Sequence, residues 1–171
     1  MDAAEQRTIM DKGRILIIDD EEIVRASCSR ILLPEGYTVK TANNAKNGLA
    51  LLETNSLDLV LTDLKMPDMD GLEVLRNIKE KWPETEVIIM TGYGTVKTAV
   101  RAMKIGVFDY IEKPFTPGDL IPLAAKALSG PWIVRGMLRL EQGSGKRVNQ
   151  PATRGWPRRI RDRGQSLAIG G

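Results

Sequence analysis

Four short hydrophobic runs in this chain break off at groups that bind oxyanions or hard cations. Arg14-Ile-Leu-Ile-Ile leads into Asp19-Asp20, and Leu57-Asp-Leu-Val-Leu-Thr closes on Asp63. Glu86-Val-Ile-Ile-Met ends at the hydroxyl of Thr91, and Phe108-Asp-Tyr110-Ile-Glu ends at Lys113-Pro114. Laid side by side and parallel, these runs would gather three carboxylates, a hydroxyl and an ammonium on one edge. Such a set suits a hard divalent cation together with a phosphoryl group. A carboxylate can attack phosphorus and become an acyl phosphate. Attacking group and target are both anionic, so a divalent cation is needed to offset their repulsion. Mg²⁺ takes oxygen ligands in octahedral geometry and keeps several waters. Asp63 and Asp20 would each give it an oxygen, Asp19 would hold a coordinated water, and a backbone carbonyl just after Asp63 would add a further ligand. Lys113 would pair with Asp63 before reaction and with phosphoryl oxygen afterwards. Thr91 would donate its hydroxyl to the same group. X-Pro is the one cheap place for a cis peptide, and a cis Lys113-Pro114 bond would aim the lysine inward.

Taken singly, each signal has a plainer meaning. Asp-Asp after a strand caps a helix, Thr after a strand makes a turn, and Lys-Pro is a surface turn. Their joint order at strand ends is what favours a shared site.

The runs read as strands over Ile15–Asp19, Tyr37–Thr41, Leu57–Asp63, Val87–Thr91 and Phe108–Ile111. Three are almost wholly apolar, as befits strands covered on both faces. Helical patterns lie between them. Two span about Glu21–Leu33 and Ala45–Thr54. The stripe Leu72, Leu75, Ile78, Trp82 marks a third, and Val96, Ala99, Val100, Met103 a fourth at i, i+3, i+4, i+7. A fifth runs from Pro117 to Leu128, with proline in its first turn. Asp70, with Glu73 three residues on, caps the third helix in an acidic version of the capping box, and Thr95 caps the fourth. Gly36 and Gly106 stand just past helical stretches, where a left-handed residue is often required. The order βαβαβαβαβα with right-handed crossovers gives an α/β fold, a doubly wound parallel sheet flanked by helices. Ligands of such sheets sit beyond the carboxyl ends of the strands, where Asp19, Asp20, Asp63, Thr91 and Lys113 all fall.

Composition removes whole classes of chemistry. None of the 171 residues is histidine, so Ser-His-Asp or Cys-His catalysis and imidazole zinc sites are excluded. Phosphohistidine chemistry would have to come from another protein. The one cysteine, Cys28, reads as a small buried residue on a helix. No run is long enough to cross a bilayer, and residues 1–12 form a polar extension without a signal core. The cytoplasm is the expected compartment, with no membrane partner. Charge is split. Residues 1–129 carry 16 basic and 20 acidic side chains, net −4, whereas 130–171 carry 9 basic and 2 acidic, net +7. Eight glycines and three prolines in those last 42 residues suggest a basic, disordered tail, so the domain is expected to span 13–129.

Asp19-Asp20, Asp63-Leu-Lys-Met-Pro67-Asp-Met-Asp-Gly71, Thr91-Gly92-Tyr-Gly94 and Asp109-Tyr-Ile-Glu-Lys-Pro-Phe115 resemble the receiver domain of two-component response regulators, over about Gly13 to Ser129. The resemblance implies a flavodoxin-like (CheY-like) fold with five strands. It implies Asp63 as phosphoacceptor, and Asp19, Asp20, Asp63 and the Lys65 carbonyl around Mg²⁺. Thr91 and Lys113 would contact the phosphoryl group, and Tyr110 would be the aromatic switch. The donor would be a phosphohistidine on a sensor histidine kinase. Output, including homodimer formation, would use the face of the fourth helix, fifth strand and fifth helix: Val96–Ile105, Phe108–Ile111 and Pro117–Leu128. Such a domain catalyses only its own phosphorylation and dephosphorylation. Thr91–Phe115 is most similar to receivers of enhancer-binding, NtrC-type transcription activators, where an ATPase module follows. Forty-two residues are too few for that module. Around Gly145-Lys146, Leu140 and Arg147 occupy the places of the first glycine and the Ser/Thr of a phosphate loop.

Two other readings compete. Arg154 to Arg163 would let the tail of a transcriptional regulator contact DNA phosphates without sequence preference. An aspartyl-phosphate phosphatase would need an acid two residues after the nucleophile, where this chain has Lys65.

Overall fold

The structure, a computed structural model, describes residues 12–92 and 94–130. The expected tail from 131 on, including Arg154 to Arg163 and Gly145-Lys146, lies outside them, as does most of the polar extension. The chain divides after Leu128, and all the elements below belong to the first unit. They are β1 Arg14–Ile18, α1 Glu22–Leu32 with a 3-10 turn at Leu33–Glu35, β2 Thr38–Ala42, α2 Ala45–Thr54, β3 Leu59–Asp63, α3 Gly71–Lys81, β4 Glu86–Thr91, α4 Val96–Ile105, β5 Asp109–Glu112 and α5 Pro117–Leu128.

The strands form one sheet in the order β2-β1-β3-β4-β5, and every neighbouring pair is parallel. The chain leaves β1 toward β2 on one side and resumes at β3 on the other, so strand order switches between β1 and β3. Alternate side chains of each strand enter opposite cores. Leu16, Ile18, Val60, Val87 and Ile89 face α2, α3 and α4 through Ala45, Leu52, Leu75, Ile78 and Ala102. Ile15, Ile17, Leu59, Leu61 and Ile88 face α1 and α5 through Cys28, Leu32, Leu120 and Ala124. Covering both faces makes these strands continuously apolar. Burying each such side chain is worth about 1.5–3 kcal/mol.

Local signals act as expected. Gly36 and Gly106 take left-handed φ of 91° and 114° at the ends of the 3-10 turn and α4. Asp70 caps α3 by accepting the Glu73 N–H at 2.9 Å, but the reciprocal capping box expected there forms instead at Thr95 with Thr98. Lys113-Pro114 is cis. The reading of α4 needs correction. Its buried residues are Ala99 and Ala102, while Val96 and Val100 remain 43% and 39% exposed. The valine edge of the stripe therefore points outward, and α4 approaches the sheet through its alanines.

Gly71 opens α3 hard against the end of β3. A Cβ there would overlap the Asp63 carbonyl oxygen and stand 2.9 Å from Leu64 Cα. These are backbone atoms that cannot swing aside. Gly71→Ala is expected to cost about 1–3 kcal/mol through overpacking, read as a lower midpoint in chemical denaturation.

Candidate phosphoryl-acceptor and metal site

Register assembles the site. Ile18 pairs with Thr62, so Asp19, one residue past β1, comes level with Asp63, the last residue of β3. Met90 pairs with Asp63, which puts Thr91 one step beyond. Thr91 pairs with Glu112, and the Lys113 N–H donates to the Thr91 carbonyl at 2.9 Å. The lysine thereby reaches the same edge.

One carboxylate oxygen from each of Asp19, Asp20 and Asp63 lies within 4.8 Å of the others. Asp19 is fully buried and Asp20 is exposed. Asp63 is only 7% exposed, yet it borders an open cleft of about 630 Å³ lined also by Asp20, Lys65, Gly92, Lys113 and Phe115. An incoming group can therefore reach it. Three convergent oxygens, one of them facing solvent, fit a hard divalent cation that keeps part of its water shell. Lys65 lines the same cleft, where its carbonyl would be a further ligand.

Lys113 sits among carboxylates. Its Nζ is 2.6 Å from Asp19 Oδ2, 3.5 Å from Asp63 Oδ2 and 3.5 Å from Glu21 Oε1. The expected pairing with Asp63 is thus secondary, and Asp19 is the nearer partner. Burial works against the ammonium, but the hydrogen bond and charge of Asp19, then Asp63 and Glu21, outweigh it and raise the Lys113 pKa. For Asp63 the balance goes the other way from most ion-paired carboxylates. Burial and the neighbouring Asp19 charge push its pKa up, against the Lys113 charge and the Leu64 N–H, which donates to Asp63 Oδ1 at 2.8 Å. The Asp63 carboxylate is thus disfavoured in its charged form by burial and by its neighbour Asp19, although Lys113 stands beside both.

The family model for the response regulator receiver domain matches residues 15–125. The chain belongs to the response regulator receiver family. AtoC, a regulatory protein of Escherichia coli (strain K12), is 41% identical over 116 residues, covering 68% of this chain and 25% of AtoC. The chain spans about a quarter of the length of the curated relatives it matches. The solved receiver domain of NtrX from Brucella abortus is 39% identical, with a TM-score of 0.63, over 67% of this chain and 97% of that one. The beryllofluoride-activated NtrC4 receiver domain dimer is 36% identical, with a TM-score of 0.65, over 67% and 95%. Five parallel strands with flanking helices are thus a receiver fold, flavodoxin-like as the motifs implied. No helix among the described residues is long and apolar enough to cross a membrane.

Around the receiver site stand groups that the motifs alone do not reveal. Arg25 Nη1 donates to the Asp19 carbonyl at 2.7 Å and the Glu21 N–H donates to Asp19 Oδ1 at 2.9 Å, so the start of α1 fixes the Asp19 carboxylate. Only spatial closeness exposes these roles. Cys28 is buried 3.9 Å from the Met90 sulfur. Burial, then the charge of Asp19, pushes its thiol up to about 12, so it stays an unreactive packing group. Tyr110 lies half-buried on the α2–α3–α4 side, with its hydroxyl oxygen buried.

Asp68, in the loop between Asp63 and α3, accepts the N–H groups of Ala45 and Lys46 at 3.3 and 3.0 Å. It thereby ties that loop to the first turn of α2. Desolvation opposes its charge, but the N–H groups of Lys46 and Ala45 prevail and hold its pKa below the usual 3.8. The stability this brings is present above pH 3.8 and lost as pH falls through the folded-state value. Asp68→Ala is expected to cost about 0.5–1 kcal/mol, the range of an exposed cap. Asp68→Asn should keep most of it, since an amide oxygen still accepts. Denaturant titration at neutral pH checks both.

Proposed function

We propose that this receiver takes a phosphoryl group onto Asp63 from a phosphohistidine of a sensor histidine kinase and changes state to control an output. The reading rests on the convergence of Asp19, Asp20 and Asp63 within 4.8 Å beside a lysine 3.5 Å from Asp63. An Asp63 carboxylate oxygen attacks phosphorus, the P–O bond forms and the P–N bond breaks. The P–N electron pair stays on the released imidazole nitrogen as its lone pair, and the proton carried by the other ring nitrogen leaves the donor histidine neutral. Lys113, held by Asp19, turns toward the new phosphoryl oxygens, and Thr91 donates its hydroxyl to them. Asp20, Asp63, Asp19 through a water, and the Lys65 carbonyl would hold Mg²⁺. When bound, the cation supplies charge that offsets repulsion between carboxylate and phosphoryl oxygens.

Tyr110 is the switch residue in this reading, and its state is passed to the α4–β5–α5 face. The exposure of Val96 and Val100 on α4 favours pairing of two receivers there. The description of the NtrC4 receiver as a dimer points the same way. The family match over residues 15–125 gives DNA binding by the tail no support. The cytoplasm remains the proposed compartment.

One experiment tests the reading. The full chain is incubated with acetyl phosphate and Mg²⁺, then followed by intact mass and sedimentation. Uptake should vanish when Mg²⁺ is chelated. In Asp20→Asn, Mg²⁺ affinity read by titration should fall by about 10–100-fold. The phosphorylated protein should dimerise, and Val100→Asp should stay monomeric. Uptake at full rate in a chelator would rule out the metal-assisted mechanism.

A further inference from the structure

Two glycines follow Thr91 in the loop to α4, and they do not play the same part. Neither Gly92 nor Gly94 is among the glycines with positive φ, which in the described residues are Gly13, Gly36 and Gly106. The backbone therefore does not demand glycine at either place. A Cβ on Gly92 would meet nothing within 4 Å. A Cβ on Gly94 would overlap the Tyr110 hydroxyl and lie 2.5 Å from its Cζ and 2.7 Å from its Cε1. The three nearest atoms all belong to one end of one ring.

We infer that Gly94 is the positioning residue of the switch: the missing side chain at position 94 is what admits the Tyr110 ring to its buried orientation. The inference rests on the proposed role of Tyr110 and supplies what controls it. Gly94 is followed directly by Thr95, whose side chain and backbone are locked to Thr98 by the reciprocal capping box. Backing Gly94 away from an added Cβ would therefore disturb this cap. The ring end, by contrast, is the free tip of a side chain with two rotatable bonds. An added methyl is relieved by turning Tyr110 outward, not by moving backbone.

The test is ¹⁹F NMR of the full chain with 3-fluorotyrosine in its three tyrosines. The Tyr110 signal is assigned by its loss in Tyr110→Leu, and broadening by a soluble gadolinium chelate reads exposure. In Gly94→Ala the Tyr110 signal should shift and its broadening rise several-fold, while the chain still unfolds in one cooperative transition. In Gly92→Ala both should stay as in the parent chain. A Tyr110 signal in Gly94→Ala identical to the parent overturns the inference. Should Gly94→Ala lose its fold, the variant is remade in a Tyr110→Ala background. Recovery there supports the assignment, because only the ring stood in the way, and continued unfolding overturns it. Phosphoryl uptake by the parent is measured separately by intact mass. Its absence would defeat the Asp63 reading while leaving the Gly94–Tyr110 contact to stand or fall on the NMR result.

Discussion

Asp63→Asn is expected to take up no phosphoryl group from acetyl phosphate and Mg²⁺, a loss of at least ~10³-fold on the scale of removed nucleophiles, and at the same time to fold more stably than the parent without metal. The first effect follows from chemistry. An amide oxygen is a poor nucleophile and cannot form the acyl phosphate. The second follows from electrostatics. Burial and Asp19 raise the folded-state pKa of Asp63 above 3.8, so between those pH values the folded chain binds the extra proton. Stability from this group is then fully present below pH 3.8 and declines as pH rises through the folded value. Asparagine removes the charge and keeps the shape, and its oxygen can still accept the Leu64 N–H that Asp63 Oδ1 accepts at 2.8 Å. The stability gap between variant and parent should open with rising pH and close when Mg²⁺ is added to the parent. Intact mass reads the first effect, and denaturation in a chelator across pH reads the second. Phosphoryl uptake by the variant would move the acceptor away from Asp63. A variant less stable than the parent at neutral pH would show that Lys113 already balances the site.

The fold was legible because strands buried on both faces leave an unmistakable trace. Ile15–Ile18, Leu59–Leu61 and Val87–Met90 are all 0% exposed, and such runs tolerate no polar residue until the strand ends. The carboxylates at those ends were therefore visible as interruptions. Boundaries slipped by one residue at β1, β2, β4 and β5 and by two at the start of β3, because the terminal residue of a strand carries no sharp signal of its own. At α4 the periodicity was right, but the buried face was misplaced. Alanine carries little hydrophobic signal, yet Ala99 and Ala102 are the residues that let α4 approach the sheet closely, leaving Val96 and Val100 outside.

The acidic cluster could be assembled from topology alone, since adjacent parallel strands bring their ends together. The ranking of its contacts could not. That Lys113 lies 2.6 Å from Asp19 and 3.5 Å from Asp63 depends on the path of the β5–α5 turn. The parts of Glu21, Arg25, Asp68 and Gly94 also depend on loop paths, which have no period to betray them. Asp68 stood inside a motif that was read for its neighbours Asp63 and Gly71, and its bonds to Ala45 and Lys46 cross from one helix–strand unit to another.

Removing the ammonium should be the most damaging single change to the metal-free fold of the site. In Lys113→Met, Asp19 would remain buried next to Asp63 with its nearest counter-charge gone. Breaking one side of a buried ion pair costs about 3 kcal/mol or more, because the other charge is left uncompensated. The Lys113 side chain is only 16% exposed and that of Asp19 0%, so water screens the loss little. The sign with pH is set by the raised Lys113 pKa. The stabilisation is fully present below pH 10.5 and disappears only as pH rises through the still higher folded value, so the deficit should be flat through neutrality. Two further measurements separate charge from packing. Mg²⁺ should restore much of the lost midpoint, because a cation among Asp19, Asp20 and Asp63 replaces the missing ammonium. Lys113→Met combined with Asp19→Asn should be more stable than Lys113→Met alone, since the uncompensated charge is then absent. If neither the metal nor the second substitution recovers stability, Lys113 acts through packing of its stem against the cleft, and the electrostatic account of this site is wrong.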